Sequence, residues 1–220
     1  MRLPFGLALS VVLALFAVGP VAASSADTNL MQSGTSAVYF SQMCEGDESL
    51  AATCSTTFLF VLSGKTHDKV GHVITRNQAC VEASVETFDE SVERISFHGK
   101  FGCQTLRKGA LSVDRLNSFM LRATLPVEIV DCGPQDCAPS TTGSVEIRAT
   151  WTGTGPTTLR KLRNVYDDGV CYSLVAWKSA SRDATFTGTL DGVAMPPPNE
   201  FEGAGLSRGK FRVINRNCGG

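Results

Sequence analysis

Val145-Glu146-Ile147-Arg148-Ala149-Thr150-Trp151 alternates apolar and polar residues without interruption. A strand places successive side chains on opposite faces, so this stretch has one packed face and one wet face. The same period recurs upstream, where Leu121, Ala123, Leu125, Val127 and Ile129 alternate with Arg122, Thr124 and Glu128. Val81, Ala83 and Val85 alternate with Glu82, Ser84 and Glu86, and Ile95 and Phe97 with Arg94, Ser96 and His98. Thr56–Leu62 is more uniformly apolar, as in a strand covered on both faces.

Further strands are expected at Ala37–Gln42, Val70–Arg76, Ala110–Asp114, Val170–Lys178, Ala184–Leu190 and Lys210–Asn215. Turn residues separate them at Ser63-Gly64, Asp167-Asp168-Gly169, Asp191-Gly192 and the proline run starting at Met195. There is no long amphipathic helical pattern. The expected fold is all-β, an antiparallel β-sandwich or barrel.

Eight cysteines staple this pattern: Cys44, Cys54, Cys80, Cys103, Cys132, Cys137, Cys171 and Cys218. An even count behind an export leader favours disulfides. Pairing neighbours is the economical choice, giving Cys44–Cys54, Cys80–Cys103, Cys132–Cys137 and Cys171–Cys218. Cys132-Gly-Pro-Gln-Asp-Cys137 has the turn composition that brings two cysteines together. Cys80–Cys103 would clamp a hairpin turning near Asp89-Glu90-Ser91. Zinc is the weaker use of these thiols, because only Cys132 and Cys137 approach a metal-ligand spacing and no second pair or histidine completes the set.

Met1–Ala23 reads as a secretory signal peptide. Arg2 is a short positive n-region, Phe5–Val18 is an uncharged apolar run, and Val21-Ala22-Ala23 supplies small residues before the cut. The apolar run is about 14 residues, short of the roughly 20 that a spanning helix needs. Secretion to the extracellular space is expected, with the periplasm or cell surface as related destinations, and no transmembrane segment remains after cleavage. Residues 24–35 are small and polar and read as a flexible lead-in. A single disulfide-rich β domain is expected over 36–220, with a division into two lobes near 132–142 as the alternative.

Composition narrows the function. The formal net charge is −1, with 20 Lys+Arg against 21 Asp+Glu. That balance argues against a nucleic-acid binder. Leu159-Arg160-Lys161-Leu162-Arg163 is a local basic run. It reads as an ordinary solvated segment, with an anionic polymer or membrane surface as the alternative.

No catalytic set is visible. His67, His72 and His98 are the only histidines, which leaves a three-histidine metal site or a copper site short of ligands. There is no Gly-x-Ser-x-Gly elbow, and the carboxylates fall at expected turns or wet strand positions. No cofactor is implied. Trp151, followed by Thr-Gly-Thr-Gly155-Pro156, is the one candidate binding residue. Either small neighbours leave its ring open for a sugar or apolar ligand, or it ends a core-facing strand and the glycines make a bend. The expected function is that of a secreted, non-enzymatic protein that binds a protein or carbohydrate partner. The alternatives are a hydrolase assembled from distant residues and a peptidase inhibitor presenting the 132–137 loop.

Overall fold

A computed structural model describes residues 28–47, 51–67, 72–89, 96–198 and 203–216. The strands are β1 (Thr28–Asp47), β2 (Ala51–His67), β3 (Val73–Asp89), β4 (Ser96–Thr105), β5 (Leu111–Asp114), β6 (Ser118–Cys132), β7 (Thr141–Asp167), β8 (Tyr172–Leu190), β9 (Val193–Ala194) and β10 (Gly203–Arg216). Every pairing is antiparallel. The all-β antiparallel class read from the alternation is the class of this fold.

Neighbours in sequence are neighbours in the sheet: β1 to β4 pair in order, then β4 pairs β6, β6 pairs β7 and β7 pairs β8. β10 pairs β8 on one side and β1 on the other, so the ladder of eight strands returns on itself. Closure removes free edges wherever it is complete. β5 and β9 are short additions to β6 and β8.

The packed faces meet inside this closed ladder. Leu121, Leu125, Val145, Ile147 and Trp151 are fully buried there, the face that their alternation predicts. An aromatic chain crosses the interior. Tyr39 stacks on Phe186 with ring centroids 3.9 Å apart, Phe186 meets the Trp151 ring edge-on at 5.1 Å, and Trp151 meets Phe119 edge-on at 6.0 Å. Tyr39 hydroxyl donates to the Pro196 carbonyl at 2.7 Å, which ties the proline connector to the core.

Three expected cystines are formed: Cys44–Cys54, Cys80–Cys103 and Cys132–Cys137. In the first two the cysteines are direct cross-strand partners, so each bond locks a register. Cys171 is also disulfide-bonded. Its expected partner Cys218 lies outside the described residues, as do the leader, residues 24–27 and the turn around Glu90-Ser91.

The structure corrects two local expectations and redraws a third. Residues 28–35, read as a lead-in, belong to strand β1: they pair with β10 throughout and with β2 from Met31 onward. Leu30 and Met31 apart, these residues are small or polar, and the backbone ladders hold them. Ser63-Gly64, read as a turn, lies inside β2, where Gly64 stands opposite Gly34 of β1. A Cβ on Gly34 would sit 3.0 Å from the Ser63 carbonyl oxygen, so the close approach of the two strands favours glycine there. The 132–137 loop joins two strands that pair directly with each other, Ile129 opposite Thr141, so the sheet runs through the region read as a lobe boundary.

Candidate functional site

The closed ladder does not extend along the whole length of its strands. Pairing of β3 with β4 reaches only Gln78–Thr105, and pairing of β6 with β7 only Ser118–Thr152. Beyond those rows six strands, in the order β7–β8–β10–β1–β2–β3, continue as an open sheet. β7 leaves the ring at a bulge between Thr154 and Thr158. Gly155 there has φ +66°, a left-handed conformation that glycine adopts without strain. Arg182 fastens the bulge, its Nε donating to the carbonyls of Thr154 and Gly155 at 3.3 and 3.0 Å.

Residue registers place a row of cations across the open sheet. Lys161 of β7 stands opposite Lys178 of β8, Lys178 opposite Lys210 of β10, and Lys210 opposite Ser33 of β1, which faces Lys65 of β2. The next row carries Arg163, Ala176, Arg212, Met31 and His67. Residues two apart in a strand share a face. Both rows therefore continue the face that carries Leu206, Ala37 and Val61 in the core. In these two rows Lys65, Lys161, Arg163, Lys178, Lys210 and Arg212 are all exposed, whereas Leu174 and Ile214, a row farther along the same face, are buried.

None of these six makes an ion pair or side-chain hydrogen bond with a described residue. Like charges directly opposite in a sheet destabilise it, so the arrangement works against the fold that carries it. Within a sequence of balanced charge, this face is locally strongly positive. Sequence reasoning saw only the β7 part of it, Arg160-Lys161-Leu162-Arg163. The remaining cations come from β2, β8 and β10, segments far apart in the chain.

A second polar cluster lies at the opposite end of the molecule. His98 of β4 and Asp131 of β6 are cross-strand partners, and His98 Nδ1 hydrogen-bonds Asp131 Oδ1. They line an open groove of about 470 Å³ with Ser96, Phe97 and the Cys132–Cys137 loop. The loop is closed by its disulfide and by a Gly133 N–H bond to the Asp136 carbonyl at 2.9 Å. A histidine held by a carboxylate is the orienting half of a nucleophilic site. Ser96 makes no hydrogen bond to His98 among the described residues, and both members of the pair are about half exposed, at 48% and 59%. The arrangement is a solvated cross-strand pair beside a rigid loop.

Trp151 takes the core role of the two that its sequence allows. It is fully buried, and its Nε1–H donates to the Val38 carbonyl at 2.8 Å. No ring face is open to a ligand, which corrects its candidacy as a stacking platform. The small residues after it form the bulge.

At the tip of the open sheet, between β7 and β8, Asp168 organises the turn. Its Oδ1 accepts the N–H groups of Val170 at 2.9 Å and Cys171 at 2.7 Å, and its Oδ2 accepts the Tyr166 hydroxyl at 2.9 Å. These bonds stabilise the carboxylate and hold its pKa below the usual value, with the Cys171 N–H the largest cause. No helix among the described residues is long and apolar enough to cross a membrane. Comparison with protein-family models, with curated proteins and with solved structures found no match.

Proposed function

We propose that this chain is an exported, non-enzymatic binding protein that captures an anionic macromolecule on its open sheet. The observation that carries the reading is the row Lys161–Lys178–Lys210, three opposed cations without a described carboxylate partner. A fold tolerates such a row at some cost to stability, and an anionic ligand removes that cost on binding. Protecting a sheet edge from aggregation is the other common use of surface lysines. That need is met by charges on the edge strand alone, whereas Lys178 and Lys210 sit in the second and third strands.

Export is supported by the leader Met1–Ala23 and by the cystines, which persist in oxidising compartments.

The test titrates the protein with dextran sulfate and with poly-glutamate over a range of salt concentrations. Binding should weaken steeply with salt. The triple variant Lys161→Gln, Lys178→Gln, Lys210→Gln should lose about 10- to 100-fold in affinity, as three exposed charge contacts imply. Replacing Arg107, Lys108 and Arg122 by Gln removes as much charge elsewhere and should change little. Equal losses in the two triple variants would reduce the effect to net charge and sink the reading.

A further inference from the structure

The open sheet has an unpaired side. Among the described residues, Thr158–Asp167 of β7 has a ladder only toward β8, and every residue of this segment is exposed. Such an edge presents a row of backbone donors and acceptors ready to pair with another strand. We infer that this edge accepts an extended, acidic polypeptide segment as an added antiparallel strand. The inference rests on the anionic-partner reading and narrows it to one class of partner.

Three observations carry it. The free segment is long and continuous, with its only proline, Pro156, in the bulge before it. Proline is a common device for blocking an edge, and 158–167 lacks it. The segment's exposed side chains are mixed in kind. Leu159 is 77% exposed, Val165 50% and Leu162 49%, and these alternate with Arg160, Lys161 and Arg163. Apolar residues this exposed offer contact area, and the cations between them set the sign of the charge that pairs alongside.

The charges also argue against the simplest occupant, a second copy of the chain. Antiparallel pairing of two β7 edges sets Arg160, Lys161 and Arg163 of one copy against the same basic cluster of the other, and like charges opposed across strands are repulsive. An acidic strand converts each of those contacts into an attractive one. Lys178 and Lys210, two and three strands away from the added one, extend the positive face behind the edge.

The register of β7 predicts the incoming pattern. On the face of the cationic rows, the partner meets Val165, Arg163, Lys161 and Leu159 in turn as it runs antiparallel. On the other face it meets Asn164, Leu162, Arg160 and Thr158. A complementary strand therefore reads apolar, polar, acidic, apolar, acidic, acidic, apolar, polar. The probe is the capped peptide Val-Thr-Glu-Val-Glu-Glu-Val-Thr. Its control is the same peptide with every backbone N–H replaced by N–CH3, which keeps the charges and removes the ladder donors. Dextran sulfate is the polyanion without a peptide backbone.

The experiment measures affinity for all three probes and amide hydrogen exchange across β7, using the whole oxidised protein. The expected result is binding of the parent peptide, loss of about tenfold or more on N-methylation, and new protection of amides within 158–167. The variant Arg160→Glu, Lys161→Glu, Arg163→Glu should reject this peptide and bind the version with Lys at each Glu position. Equal binding of the N-methylated peptide, or of dextran sulfate alone without new protection in β7, overturns strand addition and leaves the anionic reading standing. Binding of no probe overturns both. Protection of 158–167 that rises with protein concentration in the absence of peptide assigns the edge to a second copy and also overturns the inference.

Discussion

Lys161 and Lys178 stand directly opposite each other on adjacent antiparallel strands, and their side chains share one face. Opposed Cβ atoms in such a pair lie about 5 Å apart, and like charges there oppose folding. Lys210 repeats the clash on the far side of Lys178. The middle lysine therefore feels two neighbours of its own sign.

Replacing that middle charge should stabilise the protein. Lys178→Met keeps the aliphatic stem and is expected to raise unfolding stability by about 0.5 kcal/mol at low ionic strength. The gain should fade toward zero at about 0.5 M salt, where screening is effective over a few ångströms. Urea titrations of both proteins at the two salt concentrations provide the measurement. A variant no more stable than the parent at low salt would show that the row carries no repulsion, and the main support for an anionic partner would go with it.

Trp151 makes the opposite prediction. Its ring is buried between Phe119 and Phe186, and its Nε1–H satisfies the Val38 carbonyl. Trp151→Ala should cost about 3–5 kcal/mol from cavity formation. Trp151→Phe keeps much of the ring but leaves that carbonyl without its donor, and should cost about 1–3 kcal/mol. The denaturation midpoint would fall at unchanged slope. A neutral Trp151→Phe would remove the hydrogen bond from the account of the core, and improved or unaltered stability of Trp151→Ala would mean the residue is not core at all.

What the sequence made legible follows from the range of its signals. Alternation along one strand is a local pattern, so the buried face of 121–129 and 145–151 could be read directly. Close cysteine pairs are nearly as local, and Cys80–Cys103 fixes the register of β3 on β4. Residues 28–35 were misread because their place depends on β10, which lies almost the whole chain away. A small polar segment becomes a strand when ladders form on both of its sides, and nothing within the segment announces that. The same distance hid the cationic face. Lys65, Lys178 and Lys210 are unremarkable in their own segments, and only the registers of four strands align them. His98 and Asp131 were hidden likewise, since no cystine links β4 to β6.

The β7–β8 turn gives a pH prediction with a defined sign. Asp168 has its pKa lowered in the folded protein, chiefly by the N–H groups of Cys171 and Val170. A carboxylate with a depressed folded pKa contributes stability above its ordinary value of 3.8 and loses that contribution as pH falls through the lower, folded value. The Val170 and Cys171 amides should therefore be protected from hydrogen exchange at pH 5, relative to unstructured peptide rates. Their protection should decline below about pH 4 while core amides such as that of Ile147 remain protected. Asp168→Asn should weaken protection of the two turn amides already at pH 5, because a neutral amide oxygen is a poorer acceptor than a carboxylate. Turn protection that stayed constant down to pH 2 would mean that the backbone, not the carboxylate, sets the turn. Since this turn ends the β7 edge, the same acidification should also weaken capture of an added strand, whose glutamates lose their charge over the same pH range.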